Sequence, residues 1–144
     1  MVNQDTISIL KECDSGAQMG AESIEEVLEH VKDRRLRQVL EDSRIRHKNI
    51  GEEAHAMLSG YGEEGKAPGA MAKGMSWVKT NMKLSMNDDD STVAELITDG
   101  CNMGVKSLNR YLNQYRKADD RSQKIAQELI HLEEKTAVEV RQYL

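Results

Sequence analysis

Apolar residues recur along this chain in steps of three and four, the spacing of one helix face, in four long runs separated by polar turns. The first run, Ile7, Leu10, Cys13, Ala17, Ala21, Ile24, Leu28 and Val31, predicts a helix from about Thr6 to Lys32. Glu12, Glu22, Glu25, Glu26 and Glu29 fall largely off that stripe. "KDRR" then makes a very short connection, with Asp33 as the expected N-cap. The second stripe, Leu36, Leu40, Ser43, His47, Ile50, Ala54 and Met57, predicts a helix from about Arg34 to Ser59. Two long helices joined so tightly form an antiparallel hairpin.

The segment "SGYGEEGKAPG" holds the only proline and breaks the pattern. After it, Met71, Met75, Val78, Met82 and Met86 share one face of a shorter amphipathic helix. "NDDDST" stops that helix and starts the next, with Asp90, Ser91 or Thr92 as cap and Thr92-x-x-Glu95 as a capping box. The third long helix is expected from about Thr92 to Arg116, with Val93, Ile97, Cys101, Gly104, Leu108, Leu112 and Tyr115 inward. "KADD" turns the chain, and the fourth helix runs from about Asp120 to the end, with Ile125, Leu129, Leu132, Thr136, Val140 and Tyr143 inward.

Two stretches resemble each other. "GAQMGAESIEEVL" begins at Gly16 and "GCNMGVKSLNRYL" at Gly100, an offset of 84, and five of the thirteen positions are identical. His47 and His131 share the same offset, although the apolar stripes of the second and fourth helices align better with a shift of about two residues. The expected fold is therefore all-α: one domain over residues 1–144, an up-down four-helix bundle of two repeated hairpins. The hairpins span about 6–59 and about 92–144, and a long crossover over 60–91 contains the short helix. Glycine inside a helix costs about 0.5–1 kcal/mol relative to alanine, so Gly16, Gly20, Gly100 and Gly104 need a reason. One reason would be close packing between the first and third helices, where small residues let axes approach, and the other is room for a ligand or a partner helix.

Composition agrees with helices: no Phe, one Trp, one Pro, and few aromatic or β-branched residues. The net charge of −5 and the lack of a basic stripe argue against a nucleic-acid partner. No apolar run approaches the roughly 20 residues that span a bilayer, and no secretion signal is evident, so no membrane partner and a cytoplasmic location are expected. Cys13 and Cys101 lie on apolar stripes and are expected to be free and buried.

Laid side by side, the helices bring Met19, His47, Gly104 and His131 to one central layer. Helical bundles house di-metal centres there, from Glu residues and Glu-x-x-His motifs. Glu128-Leu-Ile-His131 and Glu52-Glu-Ala-His55 have that form, so Glu128, His131, His47 and Glu52 are the candidate ligands for iron or another divalent metal. Arg44, the repeat mate of Glu128, and the lack of a central acid on the third helix count against it. Nothing marks catalytic residues: there is no phosphate loop, Ser–His–Asp order or CxxC. Asp88, Asp89 and Asp90 read as a solvated turn and cap, because EF-hand spacing is absent.

The stretches "ECDSGAQMGAESIEEVLEHVKDRRL", "GAMAKGMSWVKTNMKLSMNDDDSTVAEL" and "NRYLNQYRKA" resemble an uncharacterised bacterial family of ferritin-like four-helix-bundle proteins. The resemblance covers nearly the whole chain. It implies the ferritin-like fold with crossover topology and implies no activity. Rubrerythrins and bacterioferritins, more distant in that superfamily, bind di-iron through carboxylates and His. Two functions are expected on these grounds. One is a non-catalytic structural or interaction bundle that forms homo-oligomers. The other is a di-metal oxidase or iron-handling protein with a degenerate central site.

Overall fold

A computed structural model describes residues 2–63 and 89–144. The crossover helix expected around Met71–Met86 lies outside the described residues. Among the described residues there are four helices and no strand: α1 (Gln4–Leu28), α2 (Arg34–Gly60), α3 (Asp90–Gln114) and α4 (Asp120–Val140), with a 3₁₀ turn at Arg141–Tyr143. They form a four-helix bundle in which α1 pairs with α2, α3 pairs with α4, and α4 packs against all three others.

Each helix starts on an asparagine or aspartate whose side chain accepts the amide three residues on: Asn3 for Thr6, Asp33 for Leu36, Asp89 for Thr92 and Asp119 for Ser122. The cap of α3 is thus Asp89, one residue before the expected positions. Asp90 is thereby free to bind the turn between α1 and α2. At the other end of α2 the Glu63 amide bonds the Leu58 carbonyl (2.9 Å) and the Gly62 amide bonds Ser59 (3.0 Å). This closure needs a left-handed residue, and Gly62 supplies it at φ 75°.

Helix direction follows from how the ends are tied. At one end the Asp90 carboxylate takes the amides of Lys32 (2.8 Å) and Asp33 (3.0 Å), so α3 begins on the α1–α2 turn. The Tyr143 hydroxyl joins there by donating to Asp33 Oδ1 at 2.9 Å. At the opposite end Asp5 takes the Lys117 amide (3.0 Å), Thr6 Oγ1 takes the Asp119 amide (2.9 Å) and Asn3 Nδ2 donates to the Lys117 carbonyl (2.8 Å). So α1 begins on the α3–α4 turn. Each hairpin's first helix starts on the other hairpin's turn. It follows that α1 and α4 run one way, α2 and α3 the other.

The expected stripes of α1 and α2 are buried throughout. Their contacts form two apolar clusters. One unites Leu10, Cys13, Ala17, Ile50, Ala54, Leu108, Ile125 and Leu129. The other unites Ile24, Val27, Leu36, Leu40, Val93, Ile97, Cys101 and Val140. A fully buried Leu or Ile contributes about 1.5–3 kcal/mol by leaving water, so these clusters supply the main drive to fold. What separates them is polar.

The Asp90 tie can be tested alone. Asp90→Ala should lower unfolding free energy by about 1–3 kcal/mol, since two backbone amides lose a charged acceptor. Urea melts would show this as a lower midpoint at unchanged slope. A midpoint equal to wild type would mean that solvent replaces the carboxylate without loss.

Candidate functional site

Between the two clusters, α2 and α4 face each other through Ser43, His47, Glu133 and Thr136, all buried. Helical spacing places Ser43 and His47 on one inward line, and Glu133 and Thr136 on another. His47 Nδ1 lies 2.8 Å from the carbonyl of Ser43. A carbonyl can only accept, so Nδ1 carries a hydrogen. His47 Nε2 meets Glu133 Oε1. With Nδ1 protonated, this second contact needs one further proton between the ring and the carboxyl: imidazolium to carboxylate, or carboxylic acid to imidazole. Thr136 donates its hydroxyl to the Leu132 carbonyl at 2.8 Å. Ser43 must therefore donate in the 2.7 Å contact with Thr136 Oγ1. The layer is satisfied by donors and acceptors of the chain itself.

Two of the repeated glycines make room for this pair. A Cβ on Gly20 of α1 would stand 2.5 Å from His47 Cδ2 and 2.7 Å from Nε2. A Cβ on Gly104 of α3 would overlap Glu133 Oε2. The nearest neighbours of these two glycines are thus on α2 and α4, whereas close packing between the first and third helices was expected to account for them. Each seats the polar side chain of the following helix in its own hairpin. Gly16 has a different place: a Cβ there would meet nothing within 4 Å among the described residues. Gly100 is buried and lines the central cavity. Gly51, not singled out by the sequence, does hold two helices close, since its Cβ would come 3.1 Å from the Cβ of Ala17.

All four helices meet at a cavity of about 20 Å³ bounded by Gly20, His47, Gly100, Cys101, Glu133 and Thr136, with Ile24 and Ile97 closing it. That is room for about one water among polar partners. The Cys101 thiol is pushed up, by burial first and by the charge of Glu133 second, and stays protonated. Cys13 is pushed up to about 12, again mainly by burial. Both cysteines are free and buried, as expected.

Of the candidate metal ligands, only His47 occupies the centre. Glu52 is exposed on α2, beside the outer groove between α1 and α2. Glu128 is half-buried and His131 exposed on α4. Met103 is 41 % exposed rather than central. Among the described residues no group of three or more His, Cys, Asp or Glu is arranged to hold a metal. The residues present do not fit a di-metal centre, because the one central histidine has both nitrogens engaged within the chain.

The central acid that sequence reasoning passed over is Glu133. It lies four residues after Leu129 and three before Thr136, on the inward line of α4. His47 and Glu133 are 86 residues apart, two more than the offset of 84 in the glycine repeat. The two-residue shift that best aligns the apolar stripes pairs these two positions, and would have found the acid.

No family model, curated protein or solved structure matches the chain. No helix among the described residues is long and apolar enough to cross a membrane.

The glycine seats predict a contrast. Gly20→Ala should destabilise by about 1–3 kcal/mol, because the buried His47 ring must move. Gly104→Ala should cost less, because the clash falls on a carboxylate that can swing, at the expense of its bond to His47. Gly16→Ala should stabilise by up to about 1 kcal/mol, since only unfolded-state entropy changes. Denaturant melts of the three variants decide it, and stabilisation by Gly20→Ala would refute the seat.

A second prediction concerns pH. His47 lies above its ordinary 6.5: burial, the largest influence, pulls it down, but the hydrogen bond and charge of Glu133 and the Ser43 carbonyl together outweigh it. A raised folded value means that the stabilisation is complete below about 6.5 and is lost as pH climbs through the folded value. Unfolding free energy from denaturant melts should therefore decline on the alkaline side of about pH 6.5. The decline should disappear in His47→Gln. The same slope in that variant would assign it to other groups.

Proposed function

We propose that this protein is a ferritin-like helical bundle, built from two repeated hairpins, that works as a non-catalytic structural or interaction protein and assembles with copies of itself. One observation carries the reading: both ring nitrogens of His47 are engaged inside the chain, Nδ1 by the Ser43 carbonyl and Nε2 by Glu133. A histidine held so has no lone pair to offer a metal or a substrate. The central layer is thus built to hold helices in place. The crosswise ties, in which α1 starts on one turn and α3 on the other, support a repeated-hairpin origin. Self-association would draw on exposed apolar side chains such as Ile45, Met103 and Val138.

Elemental analysis of protein from iron-rich medium, with light scattering on the same sample, tests the proposal. The expected result is less than about 0.1 metal per chain and a mass above one chain at tens of micromolar. Stoichiometric iron that disappears in His47→Ala would replace this reading with the iron-handling one. A clean monomer would remove self-association.

A further inference from the structure

The Glu52-x-x-His55 motif plays no part in the central layer. It lies along the outer groove between α1 and α2, and we propose that this groove binds a linear polyamine. The inference goes beyond the structural role proposed above and does not depend on it. The groove is open to solvent and offers about 570 Å³, within the size range of small-molecule sites. Its α1 wall extends from Asp14 to Glu25, about 16 Å of helix. The small residues Ala21, Gly51 and Ala56 line it, giving a floor on which a methylene chain can lie.

The charges suit ammonium groups spaced along such a chain. Four carboxylates, Asp14, Glu22, Glu25 and Glu52, line it together with one ammonium, Lys48, and the imidazoles of His47 and His55. Glu25 already faces Arg44 at 3.6 Å. Among the described residues no ion pair or side-chain hydrogen bond engages Glu22 or Glu52, which stand on opposite walls.

Asp14 and His55 add a bond between the two walls. Asp14 is 1 % exposed, a buried carboxylate whose Oδ1 takes a 2.8 Å bond from the Gln18 amide. Its Oδ2 lies 3.2 Å from His55 Nδ1. A carboxylate can only accept, so His55 Nδ1 carries a hydrogen and Nε2 is the ring nitrogen that Asp14 leaves open. The His55 side chain is 56 % exposed, so a ligand in the groove can reach it.

Isothermal titration of the full chain with spermine at low salt tests the site. One saturable event is expected. Glu22→Gln with Glu52→Gln should weaken it by about tenfold, the effect of two exposed ion pairs lost. Ala56→Leu should weaken it comparably by filling part of the groove with no change of charge. Glu134→Gln, an exposed acid on α4, is the control for net charge and should leave affinity within about twofold. Circular dichroism establishes that each variant folds. Absence of saturable binding would overturn the proposal. So would equal weakening by Glu134→Gln, which would mark diffuse attraction of an acidic protein for a polycation, or full affinity in Ala56→Leu.

Discussion

A histidine and a glutamate share a proton in the middle of an otherwise apolar bundle, and that pair constrains everything around it. A charge taken from water costs several kcal/mol unless a partner and hydrogen bonds answer it. His47 has its answer in Glu133 and in the Ser43 carbonyl. The pair also needs space, which two helices provide by having no side chain at Gly20 and Gly104. A slide of α4 along α2 by one turn would part the two charges and break the Ser43–Thr136 bond at once. Apolar side chains alone tolerate such slips, because any Leu can meet any other. The polar layer does not, so it sets the register of the two apolar clusters on either side.

The ends of the bundle obey a related constraint. Turns between long helices expose backbone amides that need acceptors. Here the acceptor for each turn comes from the start of the other hairpin: Asp90 for Lys32 and Asp33, Asp5 and Thr6 for Lys117 and Asp119. The two hairpins are therefore locked both at mid-height and at both ends. A chain held in this way keeps its outer surfaces in fixed relation. The α1–α2 groove, with Asp14 buried behind His55, is one such surface.

Much of the fold was legible in the order of residues. The periodic stripes placed four helices to within a few residues at most ends, because burial of one face repeats every three to four positions whatever the partner. Asp33 was legible as a cap because capping is local. Asp90 was not legible as the tie between hairpins: that role depends on a turn nearly sixty residues away, and the true cap, Asp89, lies right beside it. Glu128 and His131 look like ligands as a motif, yet their places on α4 point them largely to solvent.

The glycines mark the boundary most clearly. Sequence alone determined that Gly20 and Gly104 needed a reason, since an unexplained helical glycine costs stability. It equally flagged Gly16, which no described neighbour requires to be small. Only the tertiary structure decided which glycines matter, because the requirement comes from a side chain on another helix. That His47 meets Glu133 across the bundle was likewise decided by packing. Pattern and propensity act within a few residues of the chain, whereas the partner of a buried charge is chosen by the register in which separate helices meet.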